Sequence, residues 1–200
     1  MAKIGWGRIL TGVATVAAAG AAYVYLKQRR ARAPIYESLI SEGVFEIRRY
    51  PVLATIETVQ YGTRDRALGN GFGLLAGYMF GEGRDGEEIA ITMPVLASPV
   101  PDGGWRIAFL LPLGTGREGL DAPGDGIAFG EIPVRDVAVI AVPGKPTDRL
   151  FAAKAAELRR WIKGQARVAG AEIIHAYYNS PLEPGPALSS EIFLPLAPIG

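Results

Sequence analysis

The sequence predicts an α+β fold: duplicated ββαββ units forming a distorted antiparallel β-barrel of about eight strands, flanked by two helices. Three observations predict it. An ordered series of matches relates residues 34–115 to residues 120–200 at an offset that stays between 82 and 84. Each half carries one segment with apolar residues at i, i+4, i+7 and i+11, the spacing of a helix with one buried face. Around each such segment lie short runs rich in β-branched and aromatic residues, bounded by Gly and Pro.

The elements follow in order. In the first half, Val44–Tyr50 and Val52–Tyr61 read as strands on either side of Pro51. Asp65–Phe80 reads as a helix whose apolar stripe is Leu68, Phe72, Leu75 and Met79. Glu88–Val95 and Trp105–Pro112 read as the two closing strands. The second half repeats this pattern. Ile127–Ile132 and Asp136–Val142 flank Pro133, and Thr147–Ala166 is a helix with Phe151, Ala155, Leu158 and Ile162 on one face. Thr147 and Asp148 are suited to cap its start. Ala171–Tyr178 and Ser190–Leu196 close the unit. The matches are specific: Tyr50-Pro51-Val52 with Ile132-Pro133-Val134, Gly62 with Gly144, and Leu110-Leu111-Pro112-Leu113 with Phe193-Leu194-Pro195-Leu196. Closure into a barrel would protect the sheet edges.

The first 33 residues stand apart. Ile9–Leu26 contains no charged residue, near the lower limit of about 17–25 residues for a membrane-spanning helix. Tyr23 and Tyr25 sit at one end, where aromatic residues favour the interface, followed by the basic cluster Lys27, Arg29, Arg30 and Arg32. This is the pattern of a membrane anchor, and the positive-inside rule places the domain at 34–200 on the cytoplasmic side. The alternative is export after signal cleavage at Ala17-x-Ala19, which the basic cluster opposes. Residues 1–33 hold six Lys/Arg and no Asp/Glu. Of the 21 Lys/Arg and 20 Asp/Glu in the chain, fifteen basic and twenty acidic groups therefore remain, a balance of −5. An acidic domain is a poor match for a phosphate backbone, so nucleic acid is not an expected partner. The chain has no Cys and one His, which excludes disulfides, thiolate sites and multi-histidine metal centres.

Thr63–Leu96 is the most distinctive stretch. Gly71, Phe72, Leu75, Tyr78, Gly81, Ile89, Thr92, Pro94 and Val95 match a Gly-Phe-x-x-Leu-x-x-Tyr helix, a glycine turn and an Ile-x-Met-Thr-x-Pro-Val strand, with Ile91 in place of the Met. In these residues the chain resembles the SOUL/heme-binding protein family. Tyr36-Glu37, Phe45–Tyr50, Trp105–Pro112, Ala176–Pro181 and Glu191-Ile192 extend the resemblance over Pro34–Gly200. It implies the same barrel-like fold and non-covalent binding of heme or another tetrapyrrole, for sequestration, buffering or transfer. Distant relatives include effector-binding domains of multidrug-responsive regulators. That likeness keeps open a binding module of the same fold, for another amphipathic small molecule or a protein partner, without heme.

The candidate site is the first helix. Gly69, Gly73 and Gly77 recur at i, i+4 and i+8, beside Leu68, Phe72, Leu75, Ala76 and Met79. Each interior glycine costs about 1 kcal/mol against Ala, so the bare stripe calls for a reason. One reason is a flat macrocycle lying on it, with the apolar residues against its rim. The other is close packing of helix on sheet. The family's basic residues for propionates are thought to lie on or near this helix. Here Gly69 and Gly77 stand at the matching positions, which leaves Arg64, Arg66 and Arg84 near its ends. His175 is the candidate axial metal ligand, with Tyr177 and Tyr178 as oxygen alternatives, and Met79 and Met93 as soft ones. A lone His in an apolar strand also serves as a hydrogen-bonded structural residue. No nucleophile elbow, phosphate loop or metal cluster is present in the sequence, so no enzyme is expected.

Overall fold

The computed structural model describes residues 36–82, 85, 87–115, 120–178 and 190–198. The elements are β1 (Glu37–Glu42), β2 (Phe45–Tyr50), β3 (Leu53–Tyr61), α1 (Arg64–Met79), β4 (Val95–Pro99), β5 (Gly104–Leu110), β6 (Ala128–Ile132), β7 (Arg135–Val142), α2 (Asp148–Gly164), β8 (Ile174–Tyr177) and β9 (Ser190–Pro195). All strands join one antiparallel sheet in the order β1-β2-β7-β9-β8-β4-β5-β3-β6. The α+β class and the duplicated unit are as the sequence predicts.

The pairing exchanges between the repeats. Only Pro51 and Val52 separate β2 from β3, and only Pro133 and Val134 separate β6 from β7. Neither pair forms a hairpin. Instead β2 pairs with β7 and β3 with β6, with Tyr50 opposite Arg135 and Leu53 opposite Ile132. The register runs on past the corners. β2–β3 and β6–β7 are thus two long strands, paired antiparallel and bent together at their prolines, which have no N–H to give to a ladder.

That bend sets the shape of the sheet. β2 and β3 stand six places apart in its order. At about 4.8 Å per strand a flat sheet would separate them by roughly 29 Å, yet three peptide steps reach only about 11 Å. The sheet must curl to satisfy both. It does not close: β1 and β6 remain edges, so the barrel is distorted and open. An approximate two-fold relates the halves, since Ile47 faces Ala138 while its repeat counterpart Phe129 faces Ile56. The axis passes through the β4·β8 pair at the centre.

Both helices lie on one face of the sheet, α1 against β3 and β5, α2 against β7 and β9. The core between them includes Leu75, Met79, Phe109, Phe151, Leu158, Ile140 and Ile192, all under 2% exposed. Each such side chain contributes about 1.5–3 kcal/mol by burial. Thr147 caps α2, its hydroxyl accepting from the Leu150 N–H at 3.2 Å. α1 lies close enough to β5 that a Cβ on Gly71 would fall 2.6 Å from Ile107 Cγ1.

Three elements differ from the sequence reading. β1 is an added strand, mostly exposed and without clear alternation. The strand expected at Glu88–Val95 begins only at Val95. Ahead of it the chain runs irregularly, dropping Ile89 and Met93 into the core, and Ile89 N–H bonds to the Met79 carbonyl at 2.8 Å. In the last strand Leu196, which the sequence aligns with Leu113, takes the place of Leu111: Leu111 N–H bonds to Ala54 O and Leu196 N–H to Asp136 O. The two-residue displacement keeps the same side chains facing the core, because side chains alternate with period two.

Candidate functional site

The predicted site residues divide by exposure. Leu68, Phe72, Leu75, Ala76 and Met79 are buried between α1 and the sheet, Phe72 edge-on to Phe109 at 5.2 Å. They build the core and offer no surface to a ligand. Gly77 is also buried, and a Cβ there would fall 2.5 Å from the Glu82 carboxylate. Gly69 and Gly73 are different. They face outward, and nothing lies within 4 Å of where their Cβ atoms would sit. Packing therefore explains Gly71 but not Gly69 or Gly73.

The strip they leave runs along the outer face of α1. Arg66 is exposed on it, its side chain lying back over Gly62 with Cδ 3.7 Å from that residue's Cβ position. This follows from side chains tilting toward a helix's N-terminus. Asn70 and Leu74 are exposed beside it, Leu74 at 39%. At the end of the helix Phe80 is 53% exposed. On one side Leu74 meets the loop before β6, 3.9 Å from the Gly126 Cβ position, and Tyr78 donates to the Asp121 carbonyl at 2.7 Å.

Arg64, the first residue of α1, is committed elsewhere. Its side chain is 4% exposed, with Nη1 2.6 Å from Asp148 Oδ1 and Nη2 2.7 Å from Asp65 Oδ1. Nη2 also donates to the Pro146 carbonyl at 3.1 Å, tying together the starts of the two helices. Arg84 lies outside the described residues, as do Asn179–Pro181 of the family motif and the anchor segment 1–33. Among the described residues no helix is long and apolar enough to cross a membrane.

His175 points into the helix-side core with Tyr177. Phe151 of α2 stacks on its ring at 4.0 Å between centroids and 9° between planes, and Trp105 lies 5.4 Å away. Burial, with the nearby Arg64 charge adding to it, pushes its pKa down from 6.5 to about 4. The imidazole is neutral, as an axial ligand must be. Nδ1 and the Tyr177 hydroxyl are buried without a hydrogen-bond partner. A macrocycle could not reach His175 unless α2 left its face, so the residue sits as a core histidine and not beside the α1 strip. Tyr178 is on the other side of the sheet, hydrogen-bonded to Glu191, and Met93 is buried in the core. Among the described residues no cluster of three or more His, Cys, Asp or Glu could hold a metal.

The sheet's other face carries features the sequence reading missed. Tyr50, Leu96, Leu110, Val137, Ile174 and Phe193 form a second apolar cluster there. On the inside of the bend a groove of about 240 Å³ is lined by Thr55, Glu57, Leu96, Arg106, Glu131, Arg135, Glu172 and Ile174 among others. Alternation places these residues opposite the core-facing set. Only the exchanged pairing brings β6 and β7 over the same groove, and periodicity does not encode pairing.

A duplicated ββαββ unit with both helices on the convex side of a bent sheet defines the class. The sequence matches the family model described as SOUL heme-binding protein over residues 31–195, so the chain belongs to that family. A search of curated proteins gives no match. Among solved structures, a hydrolase from Listeria innocua is similar at a TM-score of 0.54 and 11% identity, over 80% of this chain and 94% of that one. The C-terminal domain of EcmrR is similar at 0.53 and 12%, over 82% and 99%. EcmrR in its complex with DNA gives 0.56 and 12%, over 96% of this chain and 69% of that one. At these identities the likeness is one of fold.

Two predictions follow from this geometry. Gly69→Ala and Gly73→Ala should each raise stability by about 0.5–1 kcal/mol, whereas Gly71→Ala should lower it. Urea unfolding of the three variants decides this, and a destabilised Gly73→Ala would mean that packing does fill the strip. The second concerns pH. The unfolded chain protonates His175 near 6.5 and the folded one near 4. The neutral ring's contribution is therefore whole above about pH 6.5 and declines as pH falls toward 4. His175→Gln should flatten the loss of stability between pH 7 and 4.5; an unchanged slope contradicts the assignment.

Proposed function

We propose that this chain binds heme or another tetrapyrrole without catalysing a reaction, holding the macrocycle flat against the exposed strip of α1. The observation that carries the reading is the pair Gly69 and Gly73, outward-facing glycines with open space above them and no packing reason to be glycine. Membership of the SOUL heme-binding protein family supports the ligand class. Leu74 and Phe80 would cover part of the apolar ring, and Arg66 would meet a carboxylate. The bound group would bring a flat apolar ring system with carboxylates on its edge. The protein's part is to bury one face and leave the other open, which suits sequestration, buffering or transfer.

Titration of the chain with hemin, protoporphyrin and protoporphyrin dimethyl ester tests this. Saturable Soret or fluorescence changes at micromolar ligand are expected, with Gly73→Leu weakening binding at least about tenfold, or 1.4 kcal/mol. His175→Gln should leave the heme spectrum unchanged. No saturable change with any of the three sinks the reading. One observation favours a second: Arg66 is the exposed arginine of α1, and Gly69 and Gly77 stand where the family resemblance implies basic residues. If the ester binds as well as the diacid, carboxylate anchoring is dispensable. The strip then serves an amphipathic molecule more generally, as in a heme-free binding module.

We further infer that residues 1–33 anchor the domain to a membrane with residues 34–200 on the cytoplasmic side. The uncharged run Ile9–Leu26 followed by four basic residues supports it. A membrane position suits a ligand that partitions into lipid. Full-length protein should sediment with membranes and resist carbonate extraction; recovery in the soluble fraction with residues 1–33 intact contradicts the anchor.

A further inference from the structure

The groove on the concave face plays no part in the α1 reading. At about 240 Å³ it has room for a single ring with a short side chain, below the range of about 300–1,000 Å³ for sites that take drug-sized ligands. It is too small for a macrocycle. Of the arginines on this side of the sheet, Arg48 and Arg135 are more buried than Arg106. Arg48 is saturated: Nε lies 2.8 Å from Glu46, and Nη1 and Nη2 lie 2.8 and 2.9 Å from Glu191. Arg135 lines the groove with a side chain 21% exposed, and among the described residues its one ionic partner is Glu172, 3.4 Å from Nη1. Burial holds its pKa below the ordinary arginine value. A guanidinium has five N–H groups in a planar fork, and Glu172 takes up one arm of it.

A second observation points to the same place. Thr55 is 1% exposed, lines the groove, and its hydroxyl has no hydrogen-bond partner. Gly130, paired opposite it, leaves the wall bare; a Cβ there would fall 2.5 Å from Thr55 Oγ1. A buried hydroxyl without a partner is costly unless something fills it, and beside it stands a half-buried guanidinium with one long contact and donors to spare. The floor beneath them is apolar, made by Leu96, Ala108 and Ile174.

We propose that this groove binds a small monocarboxylate with an apolar body, its carboxylate on Arg135 and its body over Leu96, Ala108 and Ile174. Glu57, Glu131 and Glu172 stand around the groove and oppose a second negative charge. Glu131 and Glu172 are exposed and keep their hydration, Glu57 stands 3.9 Å from the exposed Arg106, and Arg135 is the more buried cation, with donors to spare. The site therefore selects an anion over a cation. Glu172, at its long 3.4 Å, is the group the ligand would displace or share.

Calorimetric titration of the full chain with 3-phenylpropanoate, its methyl ester and 3-phenylpropylamine at neutral pH tests this. The acid should bind saturably with Kd of about 1 mM or tighter, and the ester and amine should not bind. Arg135→Gln should weaken the acid at least about tenfold. Glu172→Gln, which frees the guanidinium, should tighten it, and circular dichroism shows whether each variant is folded. Binding of the acid should persist in heme-loaded protein, because the groove and α1 lie on opposite faces of the sheet. No saturable binding of the acid, preference for the amine, or an affinity unmoved by both substitutions overturns the proposal. If Arg135→Gln does not fold, Glu172→Gln alone decides, and an unchanged affinity there overturns it.

Discussion

The two Pro-Val corners are the constraint on which the rest of the structure depends. Each carries the chain from one half of the sheet to the other in two residues, between strands that stand six places apart. Hairpins at these points would have left β4·β8 as the one strand pair joining the repeats among the described residues. Exchange of partners instead knits the repeats together: every corner strand pairs with the opposite repeat. The sheet must then bend, and bending assigns its faces. The convex side receives both helices and the main core. The concave side narrows into a groove lined by residues flanking the corners, Ile132, Pro133 and Arg135 among them.

Duplication explains much of what the helices share and little of what they do not. The stripes Leu68, Phe72, Leu75, Met79 and Phe151, Ala155, Leu158, Ile162 perform the same packing task on equivalent strands. The asymmetry lies on their outer faces. α2 carries Ala152 and Ala156 at the positions matching Gly69 and Gly73, both exposed and of the highest helix propensity. α1 carries Gly69 and Gly73 there, which weaken the helix without packing against anything. Stability given up on a surface, where no neighbour demands it, marks a place where function has a claim.

The fold was legible because its signals are local and repeated. Helix faces, the Pro-Val corners and the apolar runs can each be read in one half and checked in the other. Pairing was not legible, because period-two alternation says which face a residue takes and not which strand lies beside it. Glu88–Val95 looked like a strand from its composition, but Ile89 and Met93 enter the core from an irregular segment. In the site, the glycine stripe was visible and its members were not equivalent. Gly77 is covered by Glu82 and buried, while Gly69 and Gly73 are open. Gly71, part of the family signature and not of the stripe, is the one that β5 requires. The apolar residues beside the stripe are core, and His175 belongs to the core under α2. Thr55 and Arg135 carried no signal of their own, since each is an ordinary strand residue until the bend brings it over the groove.

The proposed function rests on a tetrapyrrole lying on the outer strip of α1. Amide chemical-shift mapping with protoporphyrin tests it most directly. Shifts and broadening centred on residues 66–74 of α1 and on the loop beside Leu74, with the concave strands unmoved, are the predicted result. Perturbation centred on Thr55, Leu96 and Arg135, with α1 silent, would contradict it.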